Sequence, residues 1–377
     1  MRLIYLDFNA TTPIAPAVQE AMLPFLTEHF GNPSSQHAPG RAAHEAVEDA
    51  RARVCRLLGA DRDEIVFTSG GTESNNLALK GVAFRCGAPS AGHIVLSAIE
   101  HPSVLEPAKF LESLGLGITI VGCNAQGVVD PRAVAAAIRP DTVLVSVMHA
   151  NNEIGTIQPI RRIAEICRAA GVLFHTDAAQ SLGKIPVRPR ELGVDLLSVA
   201  GHKMYAPKGI GALYVRRGVD IEPLLHGAGH ESGLRAGTEN VPYIVGLGRA
   251  ATLIEHNLDR FGSQVAMLRD RLKQRLVDSV PGLSVNGGAA ERLPNTLSAN
   301  FPGVHGGELL RRTPELCAST GSACHSGAEN LSPTLSAMGL GPDTARGTVR
   351  LSLGWYTTEE EVDRAASLLL DAWENSR

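Results

Sequence analysis

The chain has only six cysteines, at positions 55, 86, 123, 167, 317 and 324, widely scattered and without a CxxC spacing. That scarcity argues against a disulfide-stapled scaffold and against a zinc knuckle. Cys317, Cys324 and His325 lack a fourth ligand at a recognisable spacing, so no metal site is expected. An excess of one charge sign is also missing: 35 Lys and Arg stand against 39 Asp and Glu, a formal net charge of -4. This leaves neither the basic footprint of a nucleic-acid binder nor a polybasic membrane patch. No apolar run reaches the roughly 18 residues of a membrane-spanning helix. Met1-Arg2-Leu3-Ile4-Tyr5-Leu6-Asp7 turns polar too soon for a signal peptide, and a cytoplasmic location is expected. Internal repeats and low-complexity linkers are absent as well.

What the chain does hold is alternation. Its 377 residues exceed the usual reach of one hydrophobic core, so two lobes are the default. Short apolar runs at 64–68, 93–97, 118–121, 142–148, 172–175, 195–199 and 211–215 alternate with helical patterns. That rhythm predicts an α/β fold with a mainly parallel central sheet flanked by helices. Ligands of such sheets sit outside the carboxyl ends of the strands. Farther on, the texture shifts to an amphipathic helix over 264–277, more short strands, a Gly- and Ser-rich loop around Cys324 and a last helix. Thr358 and Glu361 form a capping box for that helix, and Val362, Ala365, Ala366, Leu369 and Trp373 give it one apolar face. The expected division is a large lobe over 15–258 and a smaller α+β lobe built from 1–14 and 259–377.

Polar clusters at 68–76, 149–153, 176–180 and 200–203 fall at predicted strand ends, where they can converge on one pocket. Lys203, in Ala200-Gly201-His202-Lys203, can form an imine with an aldehyde cofactor, and Asp177 on a neighbouring strand can keep a pyridinium nitrogen protonated. The pair points to pyridoxal phosphate. The segment Thr68-Ser69-Gly70-Gly71-Thr72-Glu73-Ser74-Asn75-Asn76 follows a strand and opens a helix, reading either as a phosphate cradle or as structural capping. His101 after another strand is either a satisfied core histidine or a ring-stacking proton shuttle. Cys324, beside His325 in a small-residue loop, is either an exposed nucleophile or an incidental thiol. Arg350, within an alternating strand of the small lobe, is either an exposed-face residue or a clamp for a substrate carboxylate.

These residues together resemble the pyridoxal-phosphate cysteine desulfurases and the closely related selenocysteine lyases. The resemblance runs from Asp7-Phe8-Asn9-Ala10-Thr11-Thr12-Pro13 and Gly31-Asn32-Pro33-Ser34-Ser35, through Thr68 to Asn76, Asn151-Asn152-Glu153-Ile154-Gly155, His175 to Gln180, His202-Lys203 and Arg235-Ala236-Gly237-Thr238-Glu239-Asn240, to the stretch Arg350 to Gly354. It implies a fold-type I, aminotransferase-like homodimer with active sites at the subunit interface. Lys203 would bind the cofactor covalently, Asp177 would face the ring nitrogen, Gln180 and Asn152 the ring hydroxyl, and His101 the ring face. Gly71, Thr72 and His202 would grip the phosphate, joined by Thr238 of the other subunit. Asn9 and Arg350 would orient the substrate carboxylate, and Cys324 would accept the sulfur. Many desulfurases carry serine where this chain has Ala200, so the cradle lacks one hydroxyl and weaker cofactor retention is expected. Ala323-Cys324-His325-Ser326, Ser332-Pro333 and Gly201 lean toward the lyases, whereas Pro102 after the stacking histidine leans away from them.

The reaction the resemblance implies is conversion of L-cysteine to L-alanine. Lys203 removes the α-proton, and Cys324 as thiolate takes the sulfur as a persulfide. The sulfur then passes to an acceptor such as an iron-sulfur scaffold or a sulfur-carrier protein. The alternatives are a selenocysteine lyase acting on L-selenocysteine, another fold-type I aminotransferase or lyase in which Cys324 is incidental, and a non-enzymatic cofactor-binding scaffold.

Overall fold

The computed structural model describes residues 3–87, 92–320, 322–323 and 330–376. The short apolar runs form a central sheet, of seven strands among the described residues. Their spatial order is Ile65–Thr68, Gly211–Val215, Leu196–Ala200, Leu173–Asp177, Thr142–Ser146, His93–Ser97 and Gly117–Val121. The last five are mutually parallel, while Gly211–Val215 is antiparallel to both its neighbours. Successive strand side chains point to opposite faces, and here both faces are covered. Phe67, Val95, Val145, Phe174 and Leu197 join a core with helices Ala38–Leu58 and Ile160–Ala170. Val66, Ile94, Leu96, Leu144 and Leu196 pack under helices Gly71–Arg85 and Pro102–Ser113.

The strands over 93–97 and 211–215 have the bounds expected from sequence. The run expected over 142–148 ends at Ser146, and the one expected over 172–175 continues to Asp177. That extension makes Asp177 the last residue of its strand. Two histidines inside the sheet are structural. His175 sits between the hydroxyls of Ser146 and Ser198 at 2.8 and 3.0 Å, and burial pushes it down to about 3, so it is neutral. His93 lies between Thr142 and Thr119 at 2.8 Å each.

A second apolar core lies beside the first. It joins Ile4 and Leu6 to Val265, Leu268, Leu272 and Leu276, to the sheet strands carrying Leu297 and Leu351, and to Val362, Ala365, Ala366, Leu369 and Trp373 of the last helix. Burying each Leu-sized side chain is worth about 1.5–3 kcal/mol. The helix expected over 264–277 is the far end of one long helix, Val241–Ser279, which runs unbroken through residue 258. Its first half, with Ile244, Leu247 and Ile254, belongs to the large core and its second half to the small one. The two lobes thus share a helix across the boundary expected near residue 258. The N-terminal segment also bridges them, with Ile4 and Leu6 in the small core and Phe8 and Ala15 in the large one. The last helix, Glu359–Glu374, starts with the capping box of Thr358 and Glu361. No helix among the described residues is long and apolar enough to cross a membrane.

Candidate active site

The parallel strands aim their carboxyl ends at one side of the sheet, and the chemistry-bearing residues follow them. Asp177 closes one strand and Ala200 closes the next, whose chain turns at once into the short 3-10 turn Gly201–Lys203. Gly201 has to be small, because a Cβ there would meet the Ile210 carbonyl oxygen at 2.8 Å. Opposite, helix Gly71–Arg85 begins at Gly70, in a positive-φ conformation (φ 149), with no side chain capping it. Its first N–H groups and its dipole are therefore turned toward any anion.

These ends enclose a cavity of about 390 Å³. Asn9, Gly71, Thr72, His101, Asn152, Asp177, Gln180, Ala200, His202, Lys203 and Arg350 all line it. Thr238 does not: it is exposed, in the segment just before helix Val241–Ser279. Cys324 lies outside the described residues.

Lys203 Nζ donates to the carbonyls of Asn9 and Ala10 at 2.6 and 2.8 Å. Burial, reinforced by the positive charge of Arg350, brings its amine down to about 8, while Asp177 and Asp7 pull the other way. About a tenth of the amine is therefore free base near neutral pH. Asp177 accepts from Asn75 Nδ2 and from the Ala179 N–H at 2.8 Å each. Among the described residues no basic side chain forms an ion pair with it, so its charge is available to a cationic group in the cavity.

His101 caps helix Pro102–Ser113. Its Nδ1 accepts from the Ser103 N–H at 3.1 Å and faces the Ser103 hydroxyl at 2.8 Å. A ring nitrogen that accepts carries no proton, which puts the proton of the neutral ring on Nε2. Burial pushes His101 down, Asp177 opposes that shift and Lys203 adds to it. His202 is pushed down to about 4, by burial first and then by the charge of Lys203. Arg350 donates to Asp7 at 2.6 Å, to Ser319 at 2.9 Å and to the Asn152 carbonyl at 3.1 Å. Asn9 is the most heavily bonded member. Its amide donates to the Asn152 carbonyl and Thr296 Oγ1 and accepts from Asn295 and Lys184, so its side chain is saturated by the protein.

A family model described as Aminotransferase class-V matches residues 4–365. Over 370 residues the chain is 46% identical to a cysteine desulfurase IscS of Dictyoglomus turgidum, a match that spans 98% of this chain and 94% of that protein. The chain belongs to the cysteine desulfurases of the class-V aminotransferase family. Its fold is similar to a solved NifS-like protein at a TM-score of 0.91 and 39% identity, covering 98% of this chain and 99% of that one. It is similar also to SspA, solved in complex with cysteine, at a TM-score of 0.83 and 40% identity, with 94% and 99% covered.

For a member of this desulfurase family, the wall holds features beyond those expected from sequence. Asn75 joins Asp177 to Ser103, donating at 2.8 Å to each, and so links the carboxylate to the histidine cap. Glu100, beside His101 in sequence, is held by the Ser97 hydroxyl and the Met148 N–H, and burial lifts it to about 8, so it is largely neutral at pH 7. Lys184 reaches Asn9 and Gln180 from behind the wall. Asn75 lay within the segment noted over 68–76, whereas Ser103, two residues after His101, was not singled out. Lys184 carried no sequence signal at all, since a lysine between Gly183 and Ile185-Pro186 reads as a turn residue. A phosphorylated pyridine aldehyde fits this donor set: an uncapped helix start, a carboxylate with no cationic partner and a part-neutral amine. Two polar atoms of the wall, Asn75 Oδ1 and Arg350 Nε, are buried with no hydrogen-bond partner among the described residues.

Proposed function

We propose that this chain binds pyridoxal 5'-phosphate in the cavity and converts L-cysteine to L-alanine, leaving the sulfur as a persulfide on Cys324. The single observation that carries this reading is Lys203, an amine brought down to about 8, across one cavity from an Asp177 that forms no ion pair among the described residues. Gly71, Thr72 and His202 hold the phosphate, with Thr238 supplied by a second copy of the chain in a homodimer. Asp177 holds the ring nitrogen, Gln180 and Asn152 the ring oxygen, and His101 covers the ring face. Once bound, the cofactor supplies an electron sink for a carbanion at the substrate α-carbon.

The chain's own residues do the rest. Arg350, aligned by Asp7, attracts the substrate carboxylate, and Asn9 keeps Arg350's neighbour Asn152 in place. The free Lys203 amine takes the α-proton. His101 presents Nε2–H as a donor toward the cavity. The Cys324 thiolate forms an S–S bond with the substrate sulfur as the carbon–sulfur bond breaks, its electron pair staying with carbon, which is then protonated to alanine. A small-residue loop suits delivery of that sulfur to an outside acceptor, such as an iron-sulfur scaffold or a sulfur-carrier protein.

Alanine release from L-cysteine and L-selenocysteine, measured for the cofactor-loaded protein beside a Cys324→Ala variant, tests this reading. Cysteine turnover is expected to fall more than about 100-fold in the variant. Turnover of selenocysteine alone, equal cysteine activity in the variant, or pyruvate in place of alanine would each reject it.

The missing hydroxyl at Ala200 has its own consequence. Ala200 packs closely against Gly71, on which a Cβ would come 3.2 Å from the Ala200 Cβ, and both line the cavity. A hydroxyl at position 200 would enter the phosphate cradle. Ala200→Ser is expected to slow cofactor dissociation roughly fivefold, the equivalent of about 1 kcal/mol for one added hydrogen bond. Dissociation can be followed by dilution into an apo-enzyme trap, and an unchanged rate would show that the cradle does not use that donor.

A further inference from the structure

Lys184 is the one lysine whose amine is turned into the back of the active-site wall. Its Nζ donates to Asn9 Oδ1 at 2.8 Å and to Gln180 Oε1 at 2.6 Å, and both of those residues are buried. The charged groups that act on it are Lys203 and Arg350, both cations, and no carboxylate among the described residues pairs with it. An ammonium enclosed without an anion is unfavourable, and burial, followed by those two charges, holds this amine well below the ordinary lysine range. A neutral amine has two N–H donors, and two acceptors are in place for them. Lys184 and Lys203 also border the same small pocket, about 20 Å³.

The bonds leading out of this hub end at the catalytic amine. With both amide oxygens turned to Lys184, both amide nitrogens face away. Asn9 Nδ2 reaches the Asn152 carbonyl and Thr296 Oγ1, and Gln180 Nε2 reaches the Asn9 carbonyl at 3.0 Å. Turning the Asn9 amide over would set its N–H against that of Asn295, which now donates to Asn9 Oδ1 at 2.9 Å. The Asn9 carbonyl is in turn the oxygen 2.6 Å from Lys203 Nζ. We infer that Lys184 is a positioning residue, a donor hub that fixes the Asn9 and Gln180 amides and, through the Asn9 carbonyl, the resting place of the Lys203 amine. The inference deepens the activity proposed for this chain and rests on it for the roles of Lys203 and Gln180.

The test is Lys184→Met, of similar length but without a donor, with Lys184→Gln as a second variant should the first fail to fold. Three quantities are read: the pH dependence of the rate at which cofactor-free enzyme is loaded by pyridoxal phosphate, kcat and KM for L-cysteine, and the melting temperature. Arg350, Asp177, Asp7 and His101 also face Lys203 and are unchanged in both variants. The loading midpoint is expected to fall by about half a pH unit or more, because the Lys203 ammonium loses an ordered acceptor. With it kcat is expected to drop roughly tenfold or more, while KM stays within about twofold. A lower melting temperature with an unmoved midpoint and unchanged kcat would overturn the inference and leave Lys184 a structural residue. Unchanged values throughout would overturn it too. Loading does not involve cysteine, so the midpoint decides on Lys184 even if the parent enzyme released no alanine.

Discussion

A Lys203→Ala variant is expected to turn over L-cysteine at least about a thousandfold more slowly than the parent enzyme, with its fold intact. The lysine is asked to do two things that no neighbour can do. It is the primary amine within the cavity, and its value of about 8 keeps it partly unprotonated where an ordinary lysine, near 10.5, is not. The same depression predicts an opposite effect on stability. Well below pH 8 the amine is almost wholly protonated in the folded and unfolded chain alike, and the folded chain carries nearly the full penalty of burying it. As pH rises from 8 to 10.5 the folded chain sheds the proton first, the unfolded chain binds more protons, and stability increases. Cofactor-free Lys203→Ala should therefore resist urea better than the parent at pH 7, with the advantage gone above pH 10.5. Unchanged turnover would remove Lys203 from the chemistry.

Replacing Glu231 by alanine is expected to destabilise the chain by about 3–5 kcal/mol, the range for removing one partner of a buried ion pair. Its carboxylate takes two bonds from Arg51, at 2.7 and 2.9 Å, and one from the Phe67 N–H at 2.7 Å. Arg51 also donates to the Ile65 carbonyl and lies over the Phe67 ring, 4.7 Å from its centroid. The pair thus fastens the segment before helix Val241–Ser279, in which Thr238 lies, to the edge strand Ile65–Thr68. Glu231 and Ser232 hold positive φ values of 49° and 58°, conformations that persist only where contacts overdetermine them. Urea unfolding measures the loss. A double variant, Arg51→Met with Glu231→Leu, should recover most of it, because the orphaned charge is gone. A loss below about 1 kcal/mol would mean that water reaches Arg51 and the pair is a surface one.

The sheet and the core of the site were legible because their signals are local. A buried strand of a two-faced sheet reads as an apolar run, and the polar cluster after it marks the ligand side. This is how Asp177 and Lys203 could be paired across twenty-six positions of sequence. Strand direction was not legible: Gly211–Val215 runs antiparallel, yet its side chains are as uniformly buried as those of its parallel neighbours. The long helix was under-read for a physical reason. Gly246, Gly248 and Gly262 dilute its pattern, but Gly248 is there because a Cβ would strike Ala50 of helix Ala38–Leu58 at 2.6 Å. Close helix packing is a tertiary fact that looks like a helix breaker in sequence. Asp7 shows the same limit. It was noted only as part of a motif, and its role as the ion partner of Arg350 joins residues 343 apart.

The bridging N-terminal segment bears on the order in which this molecule is completed. The buried members of the large core run from Phe8 to Ile254, so on a ribosome most of that lobe can close while the rest of the chain is still being made. Ile4 and Leu6 must wait, because their partners begin at Val265 and end at Trp373. Asn9 waits with them: its amide is tied down by Asn295 and Thr296, and Leu353 receives the other bond from Asn295. A nascent or shortened chain would thus carry Lys203 on a formed sheet before the oxygen that cradles its amine is fixed. Chemical competence is then the last property the chain acquires, and folding of the large lobe alone does not create an active amine.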